Sequence, residues 1–585
     1  METLLEWSSP VAVASSKAVP RREATDRKAL LAAHLQQCER TRQLDGRGQY
    51  FKQVWRLCDA LWGADLENDG TPGTDDASIV DRHRRLLSWL TDAVSDVTDR
   101  ELAKPTKGED EDEEDGHSSR VWALMVGGRR LAACRLAREH NDLYMATLLA
   151  QASGDPSFRS LLSRQLSLWR ECGAATLIAS HRYETLRLIA GEAAPLGKLV
   201  DLDWLRAFHA TARYLCAQVP SLERIVQTYE GLFPSEDGRP SFAETDSMDM
   251  KVPLPDYMDT FQFTENGKKQ QVLDLRYELI AACAARRRPK LSPASHTPDP
   301  LDHSLCFFLG TWFGVPSEAS VTGFADQLEA CGLWHLAVAA LLYHPNDSLR
   351  AALVRSVIGR HAPAKSTPSC GKLALLRRLQ VPEEWLREAQ AHRAKYEHLS
   401  ALEAEHLVAA GQYNAAHKVL MDELLPDVVL ADDLKSIAPL LESLNEAAGR
   451  HEVSGWDSGG LALYHYLHVC DEVRGLVSSP AAALAPRLRA LRPALGAACH
   501  ALRALLPRTS RHAAARTEMG GRLVQLCVAG GVGGGNLAAL LRSLKLPPGT
   551  IAPALRQLTS ELAEAASESC AESTTSSPRS RLVHT

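Results

Sequence analysis

The chain has 585 residues, 45% of them hydrophobic and 24% charged, the proportions of a folded soluble protein and not of a disordered or collagen-like one. Its 66 Lys and Arg against 72 Asp and Glu leave a net charge of −6, without the basic excess that a chain-wide nucleic-acid-binding surface needs. The length corresponds to about four domains of ~150 residues or to one long helical array.

Residues 1–25 (METLLEWSSPVAVASSKAVPRREAT) lack a basic start followed by a long apolar stretch, so no secretory signal is expected, and they read as poorly ordered. Residues 26–103 carry helical periodicity. Residues 104–120 hold seven consecutive acids, Glu109 to Asp115, and a like-charge block of this kind predicts a solvated linker. From Val121 the apolar residues recur at three- and four-residue steps as far as residue 232, with Asn141 or Asp142 placed to cap a helix. Residues 233–270 are rich in Pro, Asp and Ser and predict a loop-rich connection. Helical patterns resume over 271–395, interrupted by the loop RRRPKLSPASHTPDP at 286–300, and continue over 396–565. The Ser/Thr-rich segment 566–585 predicts disorder. Alternating strand patterns of useful length are nearly absent, so an all-α fold follows. No run of ~18 apolar residues occurs, so no membrane span is expected. The 13 cysteines are scattered, odd in number and without a C-x-x-C pair, which fits buried free thiols in a reducing compartment.

One feature repeats. Gly48, Gly128, Gly332 and Gly411 each precede an Ala-rich or apolar helix, and in the last three an Ala follows five residues later: Ala133, Ala337 and Ala416. Gly in the turn can take a positive φ, and a small residue one turn into the helix lets a neighbouring helix approach. The intervals 48–128 and 332–411 would each hold two helical hairpins of about 40 residues, the pattern of an irregular α-solenoid, with ordinary helical hairpins in a globular domain as the other reading.

Chemistry-bearing patterns fall short. In LVQLCVAGGVGGGNLAALL, Gly531 and Gly533 fit a dinucleotide fingerprint, but Asn536 stands at its third glycine. GEAAPLGKL from Gly191 has five residues between its glycines, and Leu199 replaces the Ser or Thr that would hold magnesium. His465, His468 and Cys470 crowd one helical segment with no carboxylate or His cluster to complete a zinc shell. Ser458 in GWDSGG lacks the spacing of a nucleophile elbow. No enzyme, metal, cofactor or small-molecule substrate is expected.

Six segments occur in the order of one family. GQYFKQVWRLCDALWG (48–63) resembles the opening signature of nucleoporin ninety-six. TPDPLDHSLCFFLGTWF (297–313) is similar to its Asp-Pro-Leu-Asp segment. LEACGLWHLAVAALLYHPNDSLRAALVRSVIGRHA (328–362), RRLQVPEEWLREAQAHRA (377–394), LVAAGQYNAAHKVLMDELLPDVVL (407–430) and GWDSGGLALYHYL (455–467) follow in family order. The resemblance implies an α-solenoid of the ancestral coatomer type that folds back on itself: trunk helices at 26–103, crown helices at 121–232, a second part of the trunk at 271–395, and a tail at 396–565. It implies a structural scaffold in the Y-shaped outer-ring complex of the nuclear pore, supporting mRNA export and protein import. The expected address is the nucleus, at the nuclear envelope.

The partners so implied are a one-hundred-seven type nucleoporin at the crown, hub nucleoporins at the tail, and a Sec-thirteen β-propeller. Propeller binding by strand addition lacks a candidate: only 47 residues precede Gly48, and VAVASSKAV (11–19) alternates weakly, the pattern of a truncated form. The precursor's Phe-Gly repeats and His-Phe-Ser self-cleavage site are absent. The expected crown interface is the apolar stripe Phe158, Leu161, Leu162, Leu166 and Trp169, for which intramolecular core is the other reading. A vesicle-coat or other helical-repeat adaptor is the alternative class.

Overall fold

The computed structural model describes residues 8–11, 21–40, 46–64, 76–104, 113–152, 155–192, 202–217, 221–232, 252–258, 262–265, 268–365, 371–477 and 490–530, with scattered positions between 199 and 567. Gly531, Gly533, Asn536 and the segment 566–585 lie outside them, as does most of 233–261. Helices dominate throughout. The chain divides into two compact units, Met1–Arg350 and Ala351–Thr585.

The first unit opens on a hairpin of strands β1 (Ser8–Val11) and β2 (Arg21–Ala24), paired antiparallel with Ser8 opposite Ala24. The Arg22 N–H also donates to the Leu342 carbonyl at 2.9 Å, which fixes β2 against the helical body. Then follow α1 (Arg27–Arg40), α2 (Gly46–Trp62), α3 (Asp76–Ala93) and α4 (Ser95–Leu102). The helix α5 (Glu113–Val126) begins inside the segment 104–120, taking in the last three residues of the acidic run.

Next come α6 (Arg130–Glu139), α7 (Leu143–Gln151), α8 (Pro156–Glu171), α9 (Ser180–Ala190), α10 (Trp204–Ala210), which runs into a π turn at Thr211–Leu215, and α11 (Leu222–Glu230). A second antiparallel hairpin, β3 (Gln262–Glu265) with β4 (Lys268–Gln271), precedes α12 (Leu275–Ala284), α13 (Ser304–Trp312), α14 (Glu318–Ala330) and α15 (Trp334–Leu341). Both hairpins depart from a purely helical reading, yet each is only two strands of four residues. Consecutive helices pack as pairs, α6 with α7 and α14 with α15, while α12 returns to α2 and α13 to α1.

Aromatic side chains weld that return. Trp312 is 1% exposed, and its indole N–H donates to the Arg27 carbonyl at 3.0 Å. Trp62 meets Trp312 edge-on at 6.1 Å and Phe313 at 5.2 Å. A second cluster joins Trp204, Phe208, Tyr229 and Tyr277 across α10, α11 and α12. α12 is buried on nearly all its faces, Arg276 and Glu278 included. Buried charges need partners. Arg276 finds Asp274 at 2.6 Å, Asp256 at 2.8 Å and the Gln53 amide oxygen at 2.8 Å. Glu278 accepts from Arg287 at 2.5 and 2.9 Å and from the Lys290 N–H at 2.6 Å.

The helix α16 (Asp347–His361) leads into the second unit, which continues with α17 (Gly371–Arg378), α18 (Glu383–Tyr396), α19 (Ser400–Ala409) and α20 (Tyr413–Val419). A π turn at Leu420–Leu424 follows α20, and then α21 (Leu425–Ala431). Pro426 sits at the start of α21. Proline lacks an N–H and crowds the carbonyl four residues back, and the wider π turn is where the helix absorbs that. The unit closes with α22 (Ala438–Gly449), α23 (Gly460–Val477), α24 (Arg492–Ala504) and α25 (Ser510–Gly530) around one apolar core from Ala391 to Cys527. Three arginines on or just before α25 pair with three aspartates around α21: Arg508 with Asp422, Arg511 with Asp427, and Arg522 with Asp432. These pairs are partly exposed, so each contributes at most about 1 kcal/mol; they set register more than stability.

Candidate interaction surface

The region read as a crown shows how its helices are positioned. Gly128 takes φ +75° in the turn between α5 and α6. A Cβ there would also stand 2.3 Å from the His209 ring. Gly332 and Gly411 have φ +74° and +73°, whereas Gly48 lies inside α2, which begins two residues earlier. Ala133, Ala337 and Ala416 are each 0% exposed, so their helices meet neighbours through a methyl group. His209 is fully buried, and burial pushes its pKa down to about 4. It is neutral, with Nδ1–H donating to the Val126 carbonyl at 2.9 Å.

Asp142 caps α7, accepting from the Met145 N–H at 3.0 Å. The same carboxylate takes Arg182 of α9 in a two-pronged contact at 2.6 and 3.1 Å, so one residue starts a helix and ties it to another. Glu192 does comparable service after α9, holding Arg170 of α8 and Arg187 of α9, each at 3.2 Å. Asp155 and Pro156 start α8: the carboxylate accepts from the Ser157 N–H, and proline has no N–H to leave unsatisfied.

The stripe on α8 divides between two faces. Leu162 and Leu166 are buried, Phe158 and Trp169 are half-buried, and Leu161 is 68% exposed. The inner members are intramolecular core; Leu161 points outward, with Leu168 one heptad on at 50%. Sequence reasoning passed over the other outward residues: Leu131 on α6, Leu143 and Tyr144 on α7, and Leu177 in the turn after α8, which is 88% exposed. The signal that finds them is phase. Leu131 falls on the opposite side of α6 from buried Ala133 and Ala137, a leucine where the pattern asks for a polar residue. Six of the sixteen exposed large apolar residues among the described ones fall within 131–177. Exposed arginines (Arg120, Arg135, Arg138 and Arg164) accompany them.

The other candidate chemistry is not assembled. His468 lies on the surface of α23, 3.7 Å from Glu472. Among the described residues, no group of three or more His, Cys, Asp or Glu could hold a metal ion. Ser458 donates its hydroxyl to the Gly455 carbonyl at 2.9 Å. Among the described residues, no helix is long and apolar enough to cross a membrane.

The described residues form a helical protein with a run of outward apolar side chains over 131–177. The family model described as Nuclear protein 96 matches residues 119–393. The chain is 24% identical over 516 residues to the Nuclear pore complex protein Nup98-Nup96 of Drosophila melanogaster, covering 84% of this chain and 25% of that protein. It is 24% identical over 458 residues to the protein of the same name from Dictyostelium discoideum, covering 73% and 21%. With the Nuclear pore complex protein NUP96 of Arabidopsis thaliana it shares 22% identity over 425 residues, covering 69% and 38%. Residues 119–393 thus match the nucleoporin ninety-six family, and the chain is similar over most of its length to nuclear pore complex proteins, which indicates an address at the nuclear pore in the nuclear envelope. The chain spans about a quarter of the length of the first two relatives.

Proposed function

We propose that this chain is a structural scaffold of the Y-shaped outer ring of the nuclear pore, and that it works by holding partner nucleoporins and turns over no substrate. In this reading α6–α8 are crown helices that seat a one-hundred-seven type nucleoporin, and the helices after residue 395 contact hub nucleoporins. By supporting the ring it supports mRNA export and protein import.

The observation that carries the reading is the run of exposed apolar side chains at Leu131, Leu143, Tyr144, Leu161, Leu168 and Leu177. Exposing them to water has a cost that burial against a partner removes, at roughly 25 cal/mol per Å². Exposed charges of both signs, Arg120, Arg135, Arg138 and Arg164 with Glu139, Asp155 and Glu171, give the run a polar rim. A Sec-thirteen propeller is outside this proposal: the β1–β2 hairpin lies at 8–24 instead of within 11–19, and one of its strands is already tied to Leu342.

Co-purification tests the crown assignment. Leu161→Glu is expected to abolish capture of a one-hundred-seven type nucleoporin with the helical circular-dichroism signal unchanged. Undiminished capture counts against it. Deleting 480–585 is expected to release hub partners and keep crown binding; loss of both refutes the division.

A further inference from the structure

We propose that Cys499 and Cys527 are a redox-sensitive pair that staples α24 to α25 when the chain meets a peroxide. The two thiols face each other with sulfurs 3.9 Å apart, on helices that pack directly together. Both lie within the apolar core of the second unit, 6% and 1% exposed. A disulfide needs sulfurs about 2.05 Å apart, so the pair has roughly 2 Å to close.

The surroundings divide the roles. Either sulfur can donate to the other across the contact, and Arg503, one turn further along α24, sets a positive charge beside Cys499 that favours its thiolate against burial. Burial raises the Cys527 thiol pKa. Cys499 is therefore the attacking sulfur, and Cys527 keeps its proton until the second step. The thiolate of Cys499 attacks one oxygen of hydrogen peroxide; the O–O bond breaks, and the hydroxide that leaves is protonated to water. Cys499 is now a sulfenic acid. The Cys527 sulfur attacks it, the S–O bond breaks, and the departing oxygen leaves as a second water with the Cys527 proton. Two thiols have lost two electrons to one peroxide. A small thiol such as dithiothreitol reverses the bond by exchange.

Burial sets when this happens. Cys172 and Cys331 are exposed and meet peroxide first, but neither has a partner sulfur at hand among the described residues. The core pair reacts when α25 opens transiently, and the bond then prevents that opening by closing the loop from 499 to 527. The staple would make the C-terminal part of the second unit resistant to unfolding during oxidative stress.

The full chain, folded, is treated with hydrogen peroxide, alkylated and digested without reduction. Mass spectrometry is expected to find the Cys499–Cys527 linked peptide, lost on adding dithiothreitol. Thermal melting is expected to shift upward by roughly 2–6 °C on oxidation and to show no shift in Cys499→Ser. Cys499→Ala, which buries no unpaired hydroxyl, replaces the Ser variant if that one does not fold. Oxidation of Cys172 and Cys331 with Cys499 and Cys527 both reduced would overturn the proposal. So would a linked peptide that forms only in denatured chain.

Discussion

Trp55 and Trp312 stand edge to face, ring centroids 6.2 Å apart and planes at 86°. They come from the two segments, 48–63 and 297–313, that first suggested the family, and the fold brings those segments into one core. Edge-to-face aromatic pairs add about 0.5–1.5 kcal/mol beyond their buried area. The two signatures are thus two halves of one joint that closes the first unit.

The joint predicts that Trp312→Ala destabilises the chain by about 3–5 kcal/mol, because it removes the largest fully buried side chain among the described residues and the donor to Arg27. Urea denaturation followed by circular dichroism measures it. A loss below about 1 kcal/mol would mean that the return of α13 to α1 and α2 is held elsewhere.

Arg276 supplies a second test. Its guanidinium is pinned by Asp274, Asp256 and Gln53 and lies over the Tyr50 ring at 4.7 Å. Arg276→Met leaves Asp274 buried without its cation, and breaking a buried pair in this way costs about 3–5 kcal/mol. The double variant Arg276→Met/Asp274→Leu is expected to recover part of the loss. No recovery in chemical denaturation would mean that the arginine acts through packing alone.

Acid should weaken the first unit through His209. Its folded pKa of about 4 lies below the ordinary 6.5, so the unfolded chain takes up a proton that the folded chain refuses. Stability is therefore complete above pH 6.5 and is lost as pH falls from 6.5 toward 4, by up to about 3 kcal/mol from this residue. His34 and His296, also driven to about 4 by burial, act in the same direction. Urea midpoints between pH 7 and 5 measure the slope, and His209→Asn, which keeps a donor toward Val126, is expected to flatten it.

Gly460 tests packing in the second unit. A Cβ there would lie 2.2 Å from the Trp456 ring, and Trp456 is buried against His417 at 5.5 Å. Gly460→Ala is expected to cost about 1–3 kcal/mol by overpacking. A stabilised variant, read from the melting temperature, would show that the indole moves freely aside.

The helices were legible because Ala, Leu, Arg and Glu at three- and four-residue spacing leave few alternatives. The hairpins were not: a four-residue strand carries too short an alternation to stand out, and its partner fixes it. The stripe on α8 spans an inner and an outer face because Leu161 and Leu162 are neighbours in sequence yet 100° apart around the helix. The acidic run was taken whole as loop, although Glu113 to Asp115 begin α5. Burial of Arg276 and Glu278 could not be read from LRYELIAACA, since Gln53 lies 223 residues from the arginine it binds. The outward Leu131, Leu143, Tyr144, Leu168 and Leu177 are readable in the helical phase, but of the outward set the sequence reading names Leu161 alone.

The measurement that bears most directly on the scaffold account is the affinity of the chain for a one-hundred-seven type nucleoporin, compared between Leu161→Glu and the unchanged protein by isothermal titration calorimetry. A loss of at least tenfold, with melting temperature unchanged because Leu161 touches little of its own chain, is the result this account predicts. Equal affinity in both proteins would contradict it.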